Sequence, residues 1–278
     1  MAINYASKYS SKVAERFKLK SLTESGINKD YEWSGVSTIS VYSIPTVALG
    51  DYTLTGSSRY GTPTELQNTK QDMTVSKDRA FSITIDRKSL DDTQGAMAAG
   101  KALAREIDEV IIPEIDTYRL AAMATAAIAA GGVNETPAAI TKDNAYTSLL
   151  AANEYFGNKK VPANGKIAWV SYAFYSFIKQ DPAFMLASEM SKDELVNGVV
   201  GKVDGIKIIP VPSTYLPAKV DFVVAHPSAT VGADKLQDYK THDNPPGING
   251  ILIEGRIRYD AFVLTAKNTA VYCHKNEA

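Results

Sequence analysis

The sequence predicts an elongated α+β chain, on three observations. One apolar stripe is long enough to outrun a compact globule, one connecting segment is too poor in apolar residues to fold on itself, and one late segment alternates between apolar and charged positions.

The stripe predicts a helix from about Thr93 to Ala130, opened by Asp91 and Asp92 and closed by Gly131 and Gly132. Leu103, Ile107, Val110, Ile111, Ile115, Tyr118 and Ala122 share one side. Lys101, Arg105, Glu106, Asp108, Glu109, Glu114 and Asp116 cover most of the other. Pro113 should kink it, because the ring removes a helical hydrogen bond. About 38 residues at 1.5 Å each give about 57 Å, against a diameter near 50 Å for a sphere of this chain length.

Val36 to Ile44 is a strand candidate closed by Pro45, and Phe81 to Asp86 alternates as a half-buried strand does. Between them, Gly50 to Lys77 holds Tyr52, Leu54, Tyr60, Leu66, Met73 and Val75 as its large apolar residues. So long a segment with so little core is either a surface loop or an arm that becomes ordered on a neighbouring copy. In the late segment Ile251, Ile253, Ile257, Tyr259, Ala261 and Val263 face one way, and Glu254, Arg256, Arg258 and Asp260 the other, which predicts a long strand with one buried face. The region before it reads as helix over 143–157 and 172–180, and as strand over 166–171, 206–211 and 220–225. At the start, Tyr5, Tyr9, Val13 and Phe17 lie four apart along one side of a helix.

The chain has 278 residues, a formal charge of −1 and a single cysteine, Cys273. Bulk attraction to nucleic acid and an intramolecular disulfide are thereby excluded. The first residues contain no apolar run of a secretory leader, and no window reaches the roughly 18 apolar residues of a membrane helix. The basic charge is local: up to residue 20, Lys8, Lys12, Arg16, Lys18 and Lys20 face only Glu15. Docking of an amphipathic helix explains these residues better than single-stranded nucleic acid binding does.

Motifs of chemistry fail on inspection. Gly95, Gly100 and Lys101 have phosphate-loop spacing, but Ala102 stands where a Ser or Thr should hold Mg²⁺, and Arg87 to Asp92 reads as a polar link instead of a buried strand. Gly56 to Gly61 does not meet the spacing of a nucleophile elbow. His226, His242 and His274 are dispersed. No catalytic, cofactor-binding or metal-ligating residue is assigned, and no cofactor is expected. The helix carboxylates interleave with Lys101, Arg105 and Arg119 at intervals of three or four, which predicts an ion-pair surface facing solvent or another subunit.

Several segments, in order, resemble the major capsid proteins of tailed bacteriophages, the Hong Kong ninety-seven type fold family. VSTISVYSIPTVALGDY (36–52) looks like the strand entering that family's extended E-loop, and KDRAFSITID (77–86) like the strand returning from it. DEVIIPEIDTYRLAAMAT (108–125) is similar to the spine helix, VDGIKIIPVPSTYLP (203–217) to an axial-domain strand and proline-rich turn, and IEGRIRYDAFVLTAKNTAVY (253–272) to the closing peripheral-domain strand.

The resemblance implies an N-arm and lead-in strand over 1–45, an E-loop hairpin over 46–86, and a peripheral domain with the spine helix over 87–132. An axial domain with a mixed sheet follows over 133–230, and a return through peripheral-domain strands to a C-terminal strand over 231–278. It implies a non-enzymatic subunit that self-assembles into an icosahedral shell around the phage genome, in the virion, built in the cytoplasm of a bacterial host. Its partners would be copies of itself in hexamers and pentamers, a separate scaffolding protein, a portal and a decoration protein. The shell would enclose double-stranded DNA without sequence-specific binding, and no membrane is involved. The interface candidates are Tyr5, Tyr9, Val13, Phe17, Tyr52, Leu54, Tyr60, Leu66, Arg105, Glu109 and Arg119. Competing readings are an encapsulin-like compartment shell, a nucleic-acid-binding module and an enzyme.

Overall fold

The computed structural model describes residues 21–28, 30–31, 37–92, 99–137, 139–181, 184 and 201–276. In chain order the elements are β1 (Thr38–Ser43), β2 (Thr69–Thr74), β3 (Lys77–Asp86), α1 (Arg87–Asp92), α2 (Ala99–Glu106), a π-helical turn (Ile107–Ile111), α3 (Ile112–Ala129), α4 (Ala145–Asn158), β4 (Ile167–Ser171) and α5 (Tyr172–Gln180). Then come β5 (Lys202–Val203), β6 (Ile206–Val211), β7 (Val220–Ala225), β8 (Thr230–Asp243), β9 (Gly250–Val263) and β10 (Val271–Lys275). Helix and strand are mixed, as the sequence predicts.

A five-stranded sheet, ordered β10-β7-β4-β6-β5, has helices on both faces. Its central strand shows why. In β4, Ile167 and Trp169 join a cluster with Leu120, Met123 and Ala127 of α3. Ala168 and Val170 join a second cluster with Leu149 and Phe156 of α4 and Phe174 and Ile178 of α5. A strand covered on both faces reads as a continuous apolar run, and every residue of β4 is buried.

A three-stranded antiparallel sheet, β3-β9-β8, carries the alternating segment as its middle strand. The first turns of α3 lie on it through Ile115, packed with Ile257 and Tyr259. One helix thus spans two cores: its start packs on this sheet and its end on the five-stranded one. The helical run 99–129 is about 46 Å long at 1.5 Å per residue; residues 93–98 of the expected helix lie outside the described residues.

Pro113 is accommodated by the π turn before it, where the Ile112 N–H donates to Ile107 O. The extra residue in that turn moves aside the carbonyl that a proline ring would strike.

The structure corrects several expectations. Arg87 to Asp92, read as a polar link, is helix α1. The strand expected over 77–86 is present as β3, but a further strand, β2, begins at Thr69, inside the segment read as loop, and pairs with β1 in a two-stranded hairpin of register Thr38↔Thr74 to Ser43↔Thr69. The segment 253–272, read as one closing strand, ends β9 at Val263 and then crosses to the five-stranded sheet, where β10 pairs with β7. Asp116 and Asp260, read as facing outward, are 1% and 4% exposed, because donors from distant parts of the chain converge on them.

Candidate assembly surfaces

The β1–β2 hairpin is anchored at one end and bare at the other. At its root Met73 and Val75 are buried against Val231 and Ala233 of β8 and Leu264, with Ile39 and Val41 of β1 packed around them. Gln71 Nε2 donates to Val263 O at 3.1 Å, and Gln71 Oε1 accepts the Thr265 N–H at 2.7 Å. The Ser76 N–H and Oγ both donate to Asp260 Oδ2 at 2.8 Å, while the Tyr118 hydroxyl donates to Asp260 Oδ1 at 2.8 Å. Buried Asp260 therefore ties the root to α3. Burial, and then this carboxylate, push the Tyr118 hydroxyl pKa up.

Beyond the root nothing among the described residues covers the loop. Tyr42, Ile44, Val47, Leu49, Tyr52, Leu54, Tyr60 and Leu66 are all exposed, and among the described residues only Val110, Ile128 and Tyr172 join them as exposed large apolar side chains. Leu49, Leu54 and Tyr60 stand at 102%, 81% and 91%. The tip is nonetheless shaped: the Thr53 N–H donates to Arg59 O at 3.1 Å, and the Tyr52 and Tyr60 rings meet edge to face at 5.0 Å. So much apolar surface on one arm is what a soluble monomer avoids and a binding surface requires. Along the ladder, Ser40 donates to Asp72 Oδ1 at 2.5 Å and Lys70 lies 3.0 Å away, and both hold the Asp72 carboxyl below its usual range.

A second surface starts where residues 21–28 enter the fold. Asp116 accepts from Ser21 Oγ at 2.7 Å, Thr23 Oγ1 at 2.6 Å and the Leu22 N–H at 2.8 Å. Trp169 Nε1 donates to Leu22 O at 2.9 Å. Gly26 lies so close to the Trp169 ring that a Cβ would sit 2.3 Å from it, so only glycine fits. This segment is fastened to α3 and to the five-stranded sheet. The docking stripe Tyr5, Tyr9, Val13 and Phe17 lies before it, outside the described residues.

Arg119 is corrected from a subunit-facing residue to an internal one. It is 2% exposed, and it donates to Asp234 at 2.9 and 3.1 Å and to Glu24 and Thr23 at 3.3 Å. It binds the entering segment to β8 instead of to another subunit. Arg105 and Glu109 do pair on the exposed side of the helix at 2.8 Å, next to exposed Val110. An open groove of about 620 Å³ runs between α3 and β3, lined among others by Lys77, Arg79, Glu114, Tyr118 and Tyr259. Glu114 there accepts from Tyr259 at 2.8 Å and pairs with Arg79 at 2.8 Å. Burial, and then Glu114, raise the Tyr259 hydroxyl pKa far above its ordinary value.

Of the predicted interface residues, the structure brings Tyr52, Leu54, Tyr60 and Leu66 together on one loop. Sequence reasoning did not single out Tyr42, Ile44, Val47 and Leu49 beside them, because 36–44 reads as a strand candidate and the core-poor segment is counted only from Gly50. The signal was available in the alternation of β1, where Thr38, Ser40 and Tyr42 are exposed and Ile39 and Val41 are not. Among the described residues no group of His, Cys, Asp and Glu is arranged to hold a metal ion, and no helix is long and apolar enough to cross a membrane.

Residues 69–273 match the family model described as phage capsid protein. The chain belongs to the phage capsid protein family. It is a structural subunit of a capsid shell. A solved structure from Mycobacterium phage Che8 superposes with a TM-score of 0.73 at 18% identity, covering 98% of this chain and 97% of that one. The mature capsid of bacteriophage PhiM1 gives 0.71 at 13% identity, covering 99% and 92%. The capsid of cyanophage P-SCSP1u gives 0.68 at 13%, covering 98% and 93%. No curated protein matches the capsid chain in sequence.

Proposed function

We propose that the β1–β2 hairpin is the E-loop arm by which each capsid subunit clasps the next one in an icosahedral shell of hexamers and pentamers around double-stranded DNA. The observation that carries this reading is an apolar tip, Leu49 to Leu66, borne on a root that is buried and hydrogen-bonded. An arm with a fixed base and an uncovered apolar end gains its burial energy on another copy, at roughly 25 cal/mol per Å² of apolar surface removed from water. In this reading the three-stranded sheet with α3 forms the peripheral domain, and the five-stranded sheet the axial domain. Arg105 and Glu109 face a neighbour. Residues 1–20 act as an arm through Tyr5, Tyr9, Val13 and Phe17. Assembly takes place in the bacterial cytoplasm with a separate scaffolding protein, a portal and a decoration protein.

Light scattering after size exclusion, with negative-stain microscopy, tests the reading. Rings or closed shells are expected from the chain alone or with its scaffold. A monomer across a wide concentration range, with residues 50–77 already protected from protease, overturns it.

A further inference from the structure

The turn that joins β8 to β9, residues 244–249, ends in Asn249 followed by Gly250. Gly250 is fixed as glycine by its neighbours: a Cβ there would sit 2.0 Å from Ile85 O across the β3–β9 ladder. No bulkier residue can therefore follow Asn249 and shield its side chain. The carbonyls on either side of the shared peptide bond are both engaged. Asn249 O accepts the Arg87 N–H at 2.9 Å, and Gly250 O accepts the Asn244 N–H at 2.7 Å. Asn244 O does not return the bond, so the Gly250 N–H, buried at the start of β9, has no acceptor among the described residues. The Asn249 side chain beside it is exposed to water.

Strand amides are ordinarily committed to ladder hydrogen bonds, which keep their nitrogens from reacting. Here the nitrogen makes no ladder bond, has no side chain on its own α-carbon to crowd it, and directly follows a side-chain amide with which it can close a five-membered ring.

We propose that Asn249 is a modification site, at which the folded chain deamidates spontaneously to a mixture of aspartate and isoaspartate. The Gly250 nitrogen attacks Asn249 Cγ and forms the new C–N bond of the ring. The Cγ–Nδ2 bond breaks, and Nδ2 leaves as ammonia with the proton given up by the Gly250 nitrogen. Water then opens the cyclic imide at one of its two carbonyls. Opening at Cγ leaves aspartate; opening at the backbone carbonyl leaves isoaspartate, with the chain running through Cβ and Cγ. One amide and one water become one carboxylic acid and one ammonia, with no oxidant or reductant. Either product adds a negative charge to an end of the sheet that already carries Asp86, opposite Gly250, and Asp243, opposite Ile251. Isoaspartate also lengthens the backbone by one carbon between the carbonyls that hold Arg87 and Asn244. The reaction needs no enzyme, so it advances with the age of the subunit.

Ageing the full chain in mildly alkaline buffer, both folded and unfolded in urea, tests this, with tryptic mapping against a fresh sample. Trypsin cuts after Lys240 and Arg256, and the peptide 241–256 between them holds two asparagines. Asn244 precedes Pro245, whose nitrogen has no proton to give up and cannot close the imide. The peptide from the aged folded chain should be heavier by the difference between an acid and an amide, and protein isoaspartate methyltransferase should methylate it. Hydrogen exchange should quicken at the Arg87 and Asn244 amides. Asn249→Gln should lose the modified peptide, because its longer side chain closes the ring far more slowly. A folded chain whose peptide 241–256 stays unmodified while that of the unfolded chain converts overturns the proposal. So does a modified peptide that persists undiminished in Asn249→Gln.

Discussion

The five-stranded sheet and the β1–β2 hairpin are built from the same kinds of residue and treat them in opposite ways. In the sheet, Trp169 is sealed under α3 on one face, and Phe222 on the other under Phe156 of α4 and Phe174 of α5. In the hairpin, Leu49, Leu54 and Tyr60 project into open space. The sheet has partners on both faces within its own chain. Among the described residues the hairpin has a partner only at its root, where Met73 and Val75 reach β8. Apolar residues therefore mark two different things here: where the subunit completes itself, and where the described residues leave apolar surface uncovered.

This contrast can be broken by experiment, taking changes in order of their effect on the isolated subunit. The largest is Phe222→Ala, which empties space inside an aromatic cluster with Phe174 at 4.9 Å and Tyr272 at 6.3 Å. It should cost about 3–5 kcal/mol, read from the denaturant midpoint of the unassembled subunit. Unchanged stability would mean that the sheet is not the closed core described.

Asp116→Ala should cost about 1–3 kcal/mol, because the Ser21, Leu22 and Thr23 donors lose a buried acceptor. Hydrogen exchange should quicken at residues 21–28 before it does in the five-stranded sheet. Equal quickening everywhere would place Asp116 in the general core instead of at the entry of the chain.

A milder effect follows from pH. Burial pushes the Cys273 thiol up to about 11 from its ordinary 9.0, and burial together with Cys273 and Tyr155 pushes Tyr272 up to about 12 from 10.0. In that range the unfolded chain releases these protons while the folded chain keeps them. The stability is thus present below pH 9.0 and falls as pH rises towards 12. The unfolding midpoint should drop as pH rises through this window, and thiol reagents should label Cys273 only on unfolding. Rapid labelling of the folded subunit would show the sheet to be open.

The smallest effect on the subunit is that of Leu54→Ser with Tyr60→Ser, within about 0.5 kcal/mol because neither side chain is covered. The same pair should abolish shells in electron micrographs. Normal shells from this variant would remove the hairpin tip from the assembly contacts.

Much of the fold was legible in the sequence, because periodicity reports how a single element divides its own faces. The β9 alternation, the α3 region, and α4, β4, α5, β6 and β7 could be read in this way. The excess of uncovered apolar residues around Tyr52, Leu54, Tyr60 and Leu66 was legible as a segment without a core of its own. β2 and β8 were not, since Thr69 to Thr74 is polar on its exposed side and shows its register only when laid against β1. Nor could the fate of the charges be read. Asp116, Arg119 and Asp260 sit at positions that an isolated element would turn to water. Asp116 is buried because residues about 95 positions away bring three donors to it. Arg119 is buried because Asp234 arrives from β8 to meet it, and Asp260 because Ser76 and Tyr118 close over it. The sequence by itself determined the elements with a strong periodicity of their own and which apolar segment lacks a core. The tertiary structure alone decided which charges are inside, because a buried charge is stable only where distant partners arrive to satisfy it.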